Sequence, residues 1–156
     1  MVYIVSTQVE VKRSPGQVRS AFLDFDRFSE WHGEFALRRL RVDKPDIEPG
    51  DIIEFRIQSD HISVSPVVLV NTRDEFGWES SFHGIGRGRH YFRFQSSKKT
   101  PISTVVEHWE EFSGLNELAF RLAPSLGTKV RKQFETFNND LKMRVESLWP
   151  ENTQLF

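Results

Sequence analysis

The sequence predicts an α+β fold in which an antiparallel sheet of about six or seven strands curls around one long C-terminal helix, with two short helices after the first strand. The N-terminal segment alternates apolar and polar residues, the middle of the chain is a series of short alternating segments separated by turn residues, and the C-terminal segment repeats apolar residues every three or four positions. Strand and helix periodicities are therefore segregated along the chain instead of alternating as βαβ units. A length of 156 residues suits one domain, here assigned to 1–149 with 150–156 as a loose tail, and such a domain buries roughly 70% of its unfolded surface.

In "YIVSTQVEV", Tyr3, Val5, Thr7, Val9 and Val11 share one side and Ser6, Gln8 and Glu10 the other, the pattern of a half-buried strand. Ser14 then offers an N-cap and Pro15 a first helical residue. Val18, Ala21, Phe22, Phe25 and Phe28 form one helical stripe, broken near Asp24 to Asp26, so a second short turn presents Trp31 and His32. From Leu37 to Gly114 the chain reads as a meander, with a turn-rich connection at Lys44 to Asp51 followed by a strand carrying Ile53, Phe55 and Ile57 on one face. "SVSPVVLVNTRD", "FGWESSFHG", "GRHYFRFQSS" and "STVVEHWEEFSG" supply further strands. Pro124 is expected to block any earlier helix. After it, Leu126, Val130, Phe134, Phe137, Leu141, Val145 and Leu148 line one face of a helix of about six turns.

Lys+Arg 21 against Asp+Glu 22 leaves no global field to attract nucleic acid. The absence of cysteine excludes disulfides, thiolate catalysis and thiolate zinc sites. No apolar run approaches a membrane span and no basic leader is visible, so a cytoplasmic protein without membrane insertion, monomeric or homodimeric, is expected. The glycines of "GIGRGR" lack the dinucleotide spacing, with Arg89 where the third glycine belongs and a strand following. His108 and Glu110 share a face as His-x-Glu, but the chain has no His-x-His and no helical His-x-x-x-His, so neither metal nor cofactor is expected. Phe 14 exceeds what a small core needs and suits either a dense core or an aromatic cavity.

Strand parity places His90, Phe92 and Phe94 on one face of their strand and turns Arg89 and Arg93 to the other. Val106, His108, Glu110 and Phe112 share a face of the next. If the Phe-bearing faces are concave, neighbouring strands bring His90, His108 and Glu110 within reach. A histidine oriented by a carboxylate is a general acid or base near neutral pH. The competing assignment is structural, with His90 a satisfied core histidine and Glu110 a hydrogen-bond acceptor. His108 is the stronger functional candidate. Trp78, Ser80 and Phe82 share parity, Tyr3 and Thr7 face the same way on the first strand, and Asn138 lies beside the stripe of Phe134 and Phe137.

Taken in order, "STQVEVKRSPGQVRSAFLDFDRFSEWHGEF", the Trp of "FGWESSF", "GRHYFRF", "STVVEHWEEFSG" and "QFETFNNDLKMRVE" resemble the START / Bet v 1-like (SRPBCC) superfamily over nearly the whole chain. Among its branches the chain is most similar to the polyketide cyclase/dehydrase type, in which a Gly-x-His-x-Phe strand precedes a Thr-rich strand ending Glu-x-Phe-x-Gly. The resemblance implies a helix-grip fold with a hydrophobic cavity between sheet and helix. It implies a hydrophobic or aromatic small-molecule partner and two functional readings. One is a cofactor-independent enzyme of polyketide-like or other secondary-metabolite biosynthesis, catalysing cyclisation, dehydration or isomerisation. The other is non-catalytic binding or transport of a lipid, sterol or similar molecule. The superfamily has no universal catalytic residue, and positions matching His90 and Glu110 recur across members with unrelated ligands, which favours structure for that pair. Catalytic candidates are His108 and Glu110, then His90 and His32. Candidate ligand contacts are Tyr3, Thr7, Trp31, Phe55, Trp78, Ser80, Phe82, Phe92, Phe94, Phe134, Phe137 and Asn138. For Trp31 packing, and for His32 and Glu34 a solvated loop, are the default alternatives. A protein-interaction role ranks last, since no exposed apolar stripe is evident.

Overall fold

In the computed structural model, which describes residues 1–150, the chain forms strands β1 (Tyr3–Val11), β2 (Phe35–Arg39), β3 (Ile53–Ile57), β4 (Ile62–Val64), β5 (Val67–Asn71), β6 (Glu75–Phe82), β7 (Gly86–Ser96) and β8 (Thr104–Gly114). Helices α1 (Pro15–Leu23), α2 (Leu115–Leu122) and α3 (Pro124–Leu148) accompany them, with a 3-10 helix at Phe25–Glu30. Apart from Pro150, the predicted tail lies outside the described residues.

The fold class is as expected, but the strands divide into a five-stranded sheet ordered β1-β8-β7-β6-β5 and a three-stranded sheet ordered β2-β3-β4. All pairs are antiparallel. The two sheets are stitched at one place only among the described strands, the Ile52–Val67 bridge, beside backbone bonds from Ile53 N to Pro66 O and Val68 N to Asp51 O. A register shift between Val68 and Val70 interrupts the β5–β6 ladder there, the kind of irregularity that lets a sheet bend.

Ser14 caps α1 with Pro15 in the first turn, as the sequence predicts, and Gln17 completes a full capping box. Phe22 on α1 is fully buried and its ring lies 4.4 Å from Phe92 and 5.6 Å from Phe94, so α1 covers the far end of the β7 concave face. Val130, Phe134, Phe137, Leu141 and Val145 turn α3 against the core, whereas Leu126 and Leu148 are exposed. The buried guanidinium of Arg13 donates to the carbonyls of Lys12, Glu146 and Trp149, tying the end of β1 to carbonyls that the end of α3 leaves unpaired.

The expectation that Pro124 precludes an earlier helix is incorrect. Proline is tolerated at a first helical turn, and Pro124 opens α3 while α2 ends before it. Gly114 begins α2 with φ 67, in the left-handed region. Phe120 points inward from α2 and stacks on Phe112 at 4.1 Å, while Leu115, Leu118 and Leu122 stand exposed, an apolar stripe where the sequence predicts neither a helix nor an exposed apolar face. Among the described residues no helix is long and apolar enough to cross a membrane.

Candidate active site

The concave face of the five-stranded sheet, the small sheet and the two C-terminal helices enclose a cavity of about 160 Å³. Ser80 and Phe82 enter it from β6, His90 from β7, and Glu110 and Phe112 from β8. Phe35, Phe55, Ile57, Ile62 and Val64 close it from the small sheet, with Asp60 beside them. Phe120 from α2 and Val130, Gln133 and Phe134 from α3 complete the wall. Among the described residues no Lys or Arg lines it.

Parity and register explain the polar edge. His90 and Glu110 are direct cross-strand partners, as are Trp78 and His90 one strand over, and alternation sends all three to the concave face. His90 is 1% exposed and stacks on Trp78 at 4.5 Å and Phe92 at 5.2 Å. His108 is 0% exposed, between Phe92 at 4.1 Å and Phe134 at 4.0 Å. Burial pushes the His90 imidazolium well below its ordinary range and that of His108 down to about 3, so both rings are neutral near pH 7. Glu110 responds oppositely. Its side chain is 14% exposed, with its carboxylate Oε2 3.5 Å from His90 Nδ1, and burial pushes its pKa up to about 8.

One hydrogen-bond chain joins these groups, and its direction follows from its first member. The carbonyl of His108 can only accept, so the Thr7 hydroxyl donates to it at 3.0 Å. Thr7 Oγ1 therefore accepts from the Asn138 amide nitrogen at 2.9 Å. Asn138 Oδ1 then faces His108 Nδ1 at 2.8 Å, which places the His108 proton on Nδ1. The Nε2 lone pair of neutral His108 accepts from His90 Nε2–H at 2.6 Å. His90 is left with a lone pair on Nδ1, buried and without a hydrogen-bond partner, beside Glu110. A neutral Glu110 beside that lone pair is electrostatically consistent; a carboxylate would face it with no proton between.

Gly88 shapes the site as well. It has the inward parity of His90, and a Cβ there would lie 2.5 Å from Glu110 Oε1. The missing side chain gives the carboxyl its place over β7. The sequence contained this signal, a glycine at an inward position of an otherwise aromatic strand face.

Of the predicted contacts, Phe55, Ser80, Phe82 and Phe134 line the cavity with His90 and Glu110. Trp78, Phe92, Phe94 and Phe137 are fully buried in the packing behind it. Thr7, Asn138 and His108 belong to the hydrogen-bond chain and do not reach the cavity. Tyr3 instead stacks on Phe120 at 5.2 Å, and Trp31 packs on Phe28 at 4.8 Å. His32 also stands apart from the cavity: it is buried, not solvated, with Nδ1 2.8 Å from Asp140 Oδ2 and its ring 4.9 Å from Phe137. Glu34 accepts from Ser59. Phe35, Asp60, Ile62, Val64, Phe120 and Gln133 are not foreseen from the sequence, because the inward fold of the small sheet and α2 depends on contacts between distant segments. On the convex face Arg89 pairs with Glu79 at 2.7 Å and Arg93 with Glu107 at 3.2 Å, as parity predicts. Among the described residues no three His, Asp or Glu side chains form a metal-binding group.

Residues 3–146 match the family model described as "Polyketide cyclase / dehydrase and lipid transport". No curated protein matches the chain by sequence. Solved structures with the same fold include a START superfamily protein from Mycobacterium smegmatis, 18% identical with TM-score 0.70, covering 93% of this chain and 98% of that one. The Zhui aromatase/cyclase from Streptomyces sp. R1128 is 8% identical with TM-score 0.65 and 94% coverage of both chains. Norcoclaurine synthase from Thalictrum flavum, solved with dopamine and hydroxybenzaldehyde, is 10% identical with TM-score 0.68, covering 94% of this chain and 88% of that one. At these identities the likeness is one of fold.

Proposed function

We propose that this chain, which belongs to the polyketide cyclase / dehydrase and lipid transport family, is a cofactor-independent enzyme that moves protons on an apolar small molecule held in the cavity. The observation that carries the reading is a carboxyl group with a raised pKa next to an unpartnered histidine nitrogen in the wall of an apolar cavity. A structural network would satisfy its own members, whereas this one ends in a buried, unpartnered acceptor beside a proton donor. Glu110, which borders the cavity, is the group that exchanges protons with the ligand, and His90 Nδ1, buried behind it, is the acceptor that takes up its proton. His108, Asn138 and Thr7 act through His90 by holding its tautomer, so His108 is a positioning residue in this scheme. Cyclisation, dehydration and isomerisation all need protons delivered and removed at adjacent atoms, which such a pair supplies.

The test is native mass spectrometry of the protein purified from cells that make its ligand, with the bound compound extracted from the wild type and from Glu110→Gln. The variant is expected to retain an unconverted compound that differs from the wild type's by one water or by connectivity alone. The same unchanged compound in both would make the protein a carrier and overturn the enzymatic reading.

A further inference from the structure

We propose that the cavity takes a primary amine, whose apolar body of about one ring fills the interior and whose ammonium replaces that of Lys129 on Asp60 at the mouth. This deepens the reading above by naming the ligand, and its test is one of binding, independent of proton transfer at Glu110. Size and apolarity set the body of the ligand. A cavity of about 160 Å³ is close to one of roughly 150 Å³ that admits benzene. Phe35, Phe55, Phe82, Phe112, Phe120 and Phe134 give it an aromatic wall, so the enclosed part of the ligand is an uncharged ring or a compact aliphatic group.

Charge sets the head. The carboxyl groups of Asp60 and Glu110 line the cavity, and among the described residues no Lys or Arg side chain does. The two carboxyls differ in state. Burial pushes Glu110 up to about 8, so it holds its proton at pH 7. Asp60 is kept below its usual range by the ammonium of Lys129 on one oxygen and by the Gln133 amide on the other, and it is a carboxylate. An anionic ligand therefore meets a negative charge in the lining with no cation to offset it, whereas a cationic head finds its counter-charge in place.

The group that Asp60 now holds identifies that head. Lys129 reaches Asp60 from outside the cavity: its side chain is 54% exposed and that of Asp60 20%, so the pair stands where the cavity meets solvent. A primary ammonium thus fits the Asp60 carboxylate, and Gln133 stays as a second donor at 3.2 Å when Lys129 leaves. An exposed lysine pair is weak, because ordering the long side chain offsets its attraction. A ligand anchored by its ring in the cavity brings an ammonium to the same carboxylate with less left to order, so it displaces Lys129. The body of the ligand then borders Ser80 and Glu110, which line the same cavity from the five-stranded sheet.

Benzylamine, benzyl alcohol and benzoate share a ring and differ in charge at pH 7. Their binding is read from the methyl NMR shifts of Ile57, Ile62 and Val64, which line the cavity. Benzylamine is expected to bind roughly tenfold or more tightly than benzyl alcohol, and benzoate more weakly than either. Asp60→Asn should remove the advantage of the amine and leave benzyl alcohol binding unchanged, which also shows that the variant folds. Lys129→Ala should raise benzylamine affinity severalfold by deleting the competing ammonium, again with benzyl alcohol unchanged; a purely structural ion pair would give no such gain. Equal binding of the three compounds, no binding of benzylamine, or an advantage that survives Asp60→Asn overturns the proposal. In the mass-spectrometric experiment, a neutral or anionic compound converted by the wild type would overturn this ligand class and leave the enzymatic reading intact. An amine recovered unchanged from both proteins would do the reverse.

Discussion

Replacing Gly88 with alanine separates the stability of the fold from the chemistry of its cavity. The new Cβ would lie 2.5 Å from Glu110 Oε1, where ordinary contact begins at 3.4 Å, so the carboxyl must retreat by about 0.9 Å. That displacement takes the carboxyl out of the place over β7 that sets Oε2 3.5 Å from His90 Nδ1. The backbone is unaffected, since Gly88 is not among the residues with positive φ. Alanine also removes freedom from the unfolded chain, a gain of about 0.5–1 kcal/mol that offsets the displacement of one flexible side chain. Stability should therefore change by less than about 1 kcal/mol, while acid catalysis drops a hundredfold or more. The assays are urea denaturation, conversion of the compound that co-purifies with the protein, and a ¹³C titration of the Glu110 carboxyl, whose pKa should fall from about 8 toward its ordinary value as the group moves toward solvent. A variant whose Glu110 still titrates near 8 with undiminished conversion would refute the role given to Gly88. So would a loss of several kcal/mol, which would mean that the carboxyl cannot yield.

Two further outcomes are expected. Glu110 holds a proton in the folded state between its ordinary 4.5 and about 8, so it destabilises the fold progressively as pH rises through that window, by at most about 1.4 kcal/mol per pH unit. The buried histidines act with the opposite sign, since stability present above pH 6.5 is lost as pH falls toward the folded value of about 3 for His108. Glu110→Gln should therefore gain on the wild type between pH 4.5 and 8 and show the histidine dependence alone; parallel stability curves would contradict the raised pKa. Asp140→Asn keeps an acceptor for His32 Nδ1 but removes the charge. It should cost about 1 kcal/mol in thermal unfolding and leave conversion of the co-purifying compound unchanged, and a large loss of conversion would place His32 in the chemistry.

The succession of first strand, short helices, meander and long terminal helix, the Ser14 N-cap and the inward facing of His90, Phe92 and Phe94 are legible in the sequence, because each depends on residues only a few positions apart. A period of two or of 3.6 is a local property, and so is a proline or serine at a helix start. The same local signal was present for α2, where Leu115, Leu118 and Leu122 follow a helical spacing, but Pro124 was given a breaking role that its place at a first turn does not support. Strand parity also brought His90, His108 and Glu110 onto one concave face.

What parity leaves open is depth. His90 and His108 have equal claims as inward histidines, and only packing decides that Phe92 and Phe134 enclose His108 while His90 and Glu110 border the cavity. Asn138 joins His108 across 30 positions and Thr7 across 131, so the direction of the hydrogen-bond chain exists only when β1, β8 and α3 meet. The size of the cavity and its lack of cations likewise depend on where the small sheet and α2 close it. Local chemistry thus determined which faces look inward, and the tertiary structure decided which inward groups meet, because burial and hydrogen-bond direction are properties of neighbours far apart in the chain.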